Sequence, residues 1–430
     1  MRSVTGSLVA FTLVVGCHAG EERASGPVVQ VGPGDNLRLA LDTLLGPVTV
    51  ALEPGDYHVR PVAITDPGCG NCDDGSEQVP ATRGLRLRGR DVHLVGTSAR
   101  DVVIHTGSGY GVLFDGCEAC GLSRVTITDG SRDADRRATD AGVVVRDSQV
   151  TLTDCIIRDN LGDSATVQEV IVGVGGVAVR EGGHATVRGC RIERNSWDGI
   201  TAYRGGRLVA TDNVVDGVDR ATGTAHGGGR GVGIALTRGA EGVVEGNLVT
   251  RYWKGIGILG GARAHVRENI VEDVATWGIT LSGPQDAVLA STITRNVVFE
   301  TGACGVAVES DTGDTGQRTA GRPPAGSTSS TDRAGGSVRE NLLVRTGQDH
   351  RYDEGEPYCP QRPIALHGVP RDFTVEGNMI HGVRQPGSRP RAEVLSRAAF
   401  LDAAREVLER IGSRAPLVES RFYGAFGSVP

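Results

Sequence analysis

The chain has 430 residues, with 45 Lys+Arg against 52 Asp+Glu and a formal net charge of −7. It has no basic stripe and no aromatic–basic interleaving, which argues against nucleic acid as a partner. Sixty-four glycines and only 4% aromatic residues imply a narrow core filled by Val, Ile, Leu and Ala, although length alone would suggest two or three ordinary domains.

The N-terminus reads as an export signal. Arg2 supplies the charge, Leu8–Val15 the apolar run, and Val14-Val15-Gly16-Cys17 looks like a bacterial lipobox. Residues 1–17 are then the signal peptide and 18–27 a tether. Cys17 would carry the lipid, which anchors the protein without spanning the membrane. No later segment is long and apolar enough to cross a bilayer. From Val31 the chain enters Asp35-Asn36-Leu37, an N-capped amphipathic segment stopped at Gly46. A strand over Val48–Leu52 and a turn at Pro54-Gly55-Asp56-Tyr57 follow.

One frame then recurs eight times: apolar or Thr, three residues, Asn or Cys, one residue, apolar. A representative copy is Thr292-Ile293-Thr294-Arg295-Asn296-Val297-Val298. The ladder residues are Cys155, Cys190, Asn213, Asn247, Asn269, Asn296, Asn341 and Asn378, spaced 35, 23, 34, 22, 27, 45 and 37 apart. A second frame opens at Gly199, Gly255, Gly278 and Gly305. Recurrence of one unit, with the shortest steps of 22 and 23 residues as the bare coil and the longer ones carrying insertions, marks a solenoid. The copies are short, β-branched and alternating, so the repeating unit is strands rather than helix pairs. A coil of 22 residues accommodates three short strands and three turns, each strand pairing with its equivalent one coil on. The Asn amide can bond the turn and the Asn above it, and it tolerates left-handed backbone.

The Asn ladder and the opening segment resemble the right-handed parallel β-helix of the pectate-lyase-like superfamily, over about residues 28–385. The resemblance implies an all-β domain over 28–390, with the N-terminal helix plugging the first coil. Residues 391–430 form a C-terminal helix and tail: Ala392–Ile411 has helical periodicity, ends at Gly412, and is expected to cover the far end of the solenoid.

Eight cysteines remain after Cys17, an even number in an oxidising compartment. Cys155 and Cys190 fall in the ladder one coil apart, within reach of a disulfide, though they could stay reduced as small buried apolar groups. Cys304 and Cys359 are also one coil apart. Cys69-x-x-Cys72 and Cys117-x-x-Cys120 could form zinc ligands, but export favours disulfides.

Insertions mark the functional side of a solenoid. Gly130–Asp140, Leu161–Val174, Val218–Arg230 and Arg345–Arg362 gather at one corner; Asp311–Gly336 falls at another. The uninserted coils of Asn247, Asn269 and Asn296 should leave a trough between them, edged by Trp253, Lys254, Trp277 and Cys304, with Trp197, Asp198 and Arg230 alongside. All three tryptophans of the chain lie here. Their faces could stack on sugar rings or simply pack the corner. Lys254 is the only lysine. Unlike arginine it can lose its proton, with Arg230 and Arg251 as neighbours that would depress its pKa.

The matching chemistry is β-elimination from a uronic acid: Lys254 as base, Arg230 or Arg251 on the carboxylate, Tyr203 or His226 as acid. The alternative is a non-catalytic envelope lipoprotein that binds glycan through Trp197, Trp253, Trp277 and Asp198. The expected partner is a polysaccharide and the expected state a monomer. No cofactor is required. Calcium could sit on Asp73-Asp74 or Asp133–Asp140, neither of which has a specific ligand spacing.

Overall fold

The computed structural model describes residues 26–382 and 384, apart from 70–74, 134–139, 171, 220, 222–224, 312–334 and 354–361. The export signal, the tether before residue 26 and the expected helix over 392–411 lie outside the described residues.

Three parallel sheets run the length of the solenoid. Sheet A has 12 strands, from Val28–Val31 to Thr374–Glu376. Sheet B has 11, from Gly55–His58 to Met379–His381. Sheet C has 11, ending at Ile364–His367. Successive strands of a sheet come from successive coils: Leu248 pairs with Ile270, Ile270 with Val297, and Val297 with Leu342. Inside, like residues stack on like. Val249, Val271, Val298 and Leu343 form one fully buried column, and Val244, Val266, Ile293 and Val338 another.

The ladder is as the repeat implied. The side chain of Asn247 donates from Nδ2 to Oδ1 of Asn269, Asn269 to Asn296, and Asn296 to Asn341, at 2.9–3.0 Å. The same Oδ1 atoms accept the backbone N–H of the preceding Asn. The left-handed backbone falls one residue earlier than expected. Asp212, Glu268, Arg295 and Glu340 have φ of 54–57°, and glycine takes the position at 246 and 377. Asn or Asp would be the usual choice for such a conformation; here the fixed turn imposes it on Glu and Arg. A second, shorter ladder joins Asn160 to Asn195 at 2.8 Å, inside the corner that carries the insertions.

Cys155 and Cys190 take ladder positions, but they are free, buried thiols and not the disulfide that their spacing allowed. Each Sγ–H is turned to carbonyls of its own turn and the coil below: Cys155 to Leu122 and Thr153, Cys190 to Leu152 and Arg188. They replace the Asn amide as donors. Cys117 and Cys120 are joined as a disulfide, which removes them from any zinc site. Cys69 and Cys304 are disulfide-bonded as well; Cys72 and Cys359 lie outside the described residues.

The N-terminal plug is a short helix, Leu37–Asp42. Asn36 caps it by accepting the Leu39 N–H, and Leu37, Ala40 and Leu41 are buried against the first coil. Beyond it the chain does something the repeat did not announce. Val62–Asp66 pairs antiparallel with Val79–Arg90 and covers the outer face of the first coils of sheet C. Ile64, Cys69, Val79 and Ala81 pack there on Tyr110, Leu113, Val144, Ala178 and Tyr203. A buried ion network pins this extension. Asp66 accepts from Arg146 (2.5 Å), Arg180 (3.0 Å) and the Tyr110 hydroxyl (2.7 Å). Buried charges are tolerable only when paired this completely.

No described element covers the far end of the solenoid. Leu366, Val375 and Ile380 of the last coil are 50%, 39% and 42% exposed, whereas their equivalents one coil below are buried.

Candidate functional site

The corner between sheets B and C gathers the residues singled out above. Register places Val232 directly against Lys254. Two positions before the paired isoleucines, the same column runs from Asp198 through Val232 and Lys254 to Trp277 and Cys304. The corner must be glycine. A Cβ on Gly255 would lie 2.3 Å from the carbonyl of Gly278, and one on Gly278 would lie 2.5 Å from that of Gly305. The coils therefore stack closely, and the large side chains before each glycine turn outward.

Lys254 is held between two indoles. Its Nζ lies 4.5 Å from the Trp253 ring centre and 4.2 Å from that of Trp277, within the range of a cation–π contact. Lys254 and Trp277 are half-buried, and Trp253 is 37% exposed. Burial lowers the Lys254 pKa, and Asp198 opposes the shift. Neither Arg230 nor Arg251 is responsible, so the expectation of a neighbouring cation is corrected to one of desolvation. Asp198 is pushed up to about 6 by burial, against hydrogen bonds from the Val232 N–H (2.7 Å) and the Thr201 hydroxyl (3.1 Å) and the charge of Lys254.

The other candidates go elsewhere. Arg230 is buried, lies over the Trp197 ring at 5.5 Å and donates to the Ser196 carbonyl at 2.9 Å. Burial lowers its pKa. Arg251 makes a two-point pair with Asp216, 2.7 Å from Nε to Oδ1 and a second bond from Nη2 to Oδ2, which raises its pKa. Tyr203 is buried under the N-terminal extension beside Arg180. It stands two rungs and five strand positions from Lys254, roughly 19 Å at parallel-sheet spacings. His226 is exposed, with Nε2 3.2 Å from the Gly162 carbonyl on an earlier coil. Trp277, like Tyr352, also packs on the cluster of Ala303, Cys304, Ala307 and Ala365, so the packing role of that indole is real. The structure thus assembles Lys254, Trp253, Trp277 and Asp198, with Trp197 and Arg230 as an adjoining pair, and does not bring Arg251, Tyr203 or His226 to the amine.

Two contributors carried no signal in the sequence. Tyr252 is fully buried inside the corner, its hydroxyl without a hydrogen-bond partner. Thr201 holds Asp198. Both precede or follow the tryptophan frame without belonging to it. Among the described residues no group of three or more His, Cys, Asp or Glu side chains is gathered as a metal site. Asp133 is taken up by the Thr82 N–H and hydroxyl, and Asp140 by Arg132; Asp73 and Asp74 lie outside the described residues. A cavity of about 140 Å³ lined by Asn36, Tyr57, His58 and Arg60 belongs to the N-terminal cap and not to this corner. No described helix is long and apolar enough to cross a membrane.

Three parallel sheets wound through stacked coils define a β-helix. The family model for the right-handed β-helix region matches residues 83–232 and 175–316, and the chain belongs to that family. No curated protein matches the chain. Among solved structures, it is similar to the A-module of the mannuronan C-5 epimerase AlgE6 of Azotobacter vinelandii. The identity is 15% and the TM-score 0.39, covering 83% of this chain and 95% of that one. The PL6 family polysaccharide lyase Pedsa3628 of Pseudopedobacter saltans gives 13% and 0.38, covering 85% and 97%. The pectate lyase Pel9A gives 12% and 0.36, covering 82% and 78%. These are likenesses of fold.

Proposed function

We propose that this chain is an exported, lipid-anchored β-helix protein that binds polysaccharide at the Trp253–Lys254–Trp277 corner. One observation carries the reading: the only lysine of the chain has its ammonium between two indole faces at 4.5 and 4.2 Å, at a half-open corner. Indole faces stack on the apolar C–H faces of sugar rings. A partly desolvated ammonium beside them recognises an acidic sugar substituent more strongly than a fully hydrated one would. Anchoring rests on the Cys17 lipobox.

A second reading is favoured by the lowered pKa of Lys254. It is the property a base needs to take the C5 proton of a uronic acid. In that reading the carboxylate clamp has no accessible arginine among the candidates, because Arg251 is committed to Asp216 and Arg230 is buried over Trp197.

A glycan-array screen of the wild type, Trp253→Ala and Lys254→Gln tests the first reading. Losing a stacking face should weaken binding about 2- to 10-fold. Binding unchanged in both variants would sink it. The same ligands, monitored for the absorbance of a 4,5-unsaturated product, test the second. Turnover that persists unchanged in Lys254→Ala removes the lysine as base.

A further inference from the structure

Asp198 shares the corner with the one lysine of the chain, and its carboxylate is turned toward that amine. Register sets Trp197, Gly231 and Trp253 in one column and Asp198, Val232 and Lys254 in the next. Oδ1 of Asp198 accepts the Val232 N–H at 2.7 Å, on the rung between the two residues, and Oδ2 accepts the Thr201 hydroxyl at 3.1 Å. The carboxylate therefore leans one rung, about 4.8 Å, toward Lys254. Gly231 makes room for it: a Cβ there would lie 2.1 Å from Oδ1. Among the described residues no carboxylate pairs directly with the Lys254 ammonium, and the one charge that acts on it is that of Asp198. The other surroundings of Asp198 are uncharged or committed. The rung below presents Gly175 and Ala178. Arg230, on the rung above, is turned to the Trp197 ring and the Ser196 carbonyl. Tyr252, on the inner side, has its pKa raised well above the ordinary value by burial and stays neutral.

We propose that Asp198 sets the ligand class of this corner, admitting a carboxylated sugar at Lys254 only when its own carboxyl has taken up a proton. The inference rests on the glycan-binding reading above and adds the acidic sugar and its coupling to pH. A ligand carboxylate on the ammonium must approach to about 2.8 Å. One cation then faces two anions in a part-buried corner, where like charges repel more strongly than in water. Protonation of Asp198 removes the conflict. A neutral sugar stacked on the indoles never meets it. Burial already pushes Asp198 up to about 6, whereas a sugar carboxyl, ionising at about 3.5 like a chain-terminal carboxyl, keeps its charge. Binding of the acidic sugar is thereby linked to the uptake of one proton. Above the Asp198 pKa, affinity falls by up to about 10-fold per pH unit.

Tryptophan emission and glycan binding, both measured on the full-length protein, test this. All three tryptophans of the chain belong to this corner, so emission reports on it alone. Without ligand, wild-type emission should titrate near pH 6, and Asp198→Asn should abolish the transition. Oligogalacturonate and oligomannuronate should bind about 10-fold or more tighter at about pH 5 than at about pH 8, while their methyl esters show no such preference. Asp198→Asn should strengthen binding of the acidic oligomers at the higher pH by about 10-fold or more and flatten the profile. Should Asp198→Asn not fold, Thr201→Val removes a hydrogen bond that favours the ionised carboxyl, and both transitions should move to higher pH. A pH dependence that survives Asp198→Asn, or acidic and esterified oligomers that respond alike, would overturn the proposal. Binding that is lost in Trp253→Ala but flat with pH would overturn it and leave the glycan reading standing. Failure of all four probes to bind would remove both.

Discussion

Replacing Asn269 by alanine tests whether the ladder is the spine of the fold. The side chain is fully buried. It donates to the carbonyls of Val244 (2.8 Å) and Arg267 (2.9 Å) and to Oδ1 of Asn296 (2.9 Å). Its Oδ1 accepts both the backbone N–H and the Nδ2 of Asn247, each at 2.9 Å. Alanine removes all five bonds and leaves the Asn247 N–H buried without an acceptor. An orphaned buried donor costs about 1–3 kcal/mol, and each of the other lost bonds about 0.5–1 after partial rearrangement, for a total of about 4 kcal/mol. Asn378 ends the ladder on the last described coil. Its bonds to Val338 and Asn341 are half-exposed, so water can replace them, and alanine there should cost about 1 kcal/mol. Denaturant unfolding of both variants measures the difference, and hydrogen exchange locates it in the strands flanking Asn247 and Asn296. If the two substitutions cost the same within error, stacked hydrophobic columns alone hold the coils and the ladder is ornamental.

Two further outcomes follow from groups away from the corner. His105 bridges three coils: Nδ1 lies 2.6 Å from Asp129, Nε2 2.9 Å from Asp56, and its ring stacks on His58 at 4.5 Å. Burial opposes its charge, but the two carboxylates win and raise its pKa. Its contribution to stability is therefore complete below the unfolded-state value of about 6.5 and is lost as pH rises through the folded pKa. Tm measured across that range should fall with a slope that His105→Gln removes; an unchanged slope contradicts the assignment. Cys155 and Cys190 are fully buried, and burial holds the Cys155 thiol well above its ordinary pKa. A thiol reagent should therefore modify neither until the protein is denatured; labelling under native conditions would show that these coils open.

Much of this molecule was legible in the sequence because a solenoid is nearly one-dimensional. A residue's neighbours are its equivalents one coil on, so the spacing of Asn213, Asn247, Asn269 and Asn296 already states what touches what. The gathering of Trp253, Lys254 and Trp277 follows from the same regularity, and the capping of the first coil from Asn36 from a local N-cap signal. The tertiary structure alone decided what the repeat does not encode. Arg251 has a left-handed backbone (φ 58°) and turns to Asp216 instead of to the amine three residues on. Tyr203 vanished under an extension whose antiparallel pairing belongs to no repeat, and His226 rides an insertion back to Gly162. Cys155 and Cys190 stand one rung apart as a disulfide requires, yet they stay thiols because each sulfur replaces an Asn amide as a donor to backbone carbonyls. Periodicity specifies which backbones stack; side-chain direction at a corner depends on local φ and on charges brought in by non-repeating segments, and no spacing records either.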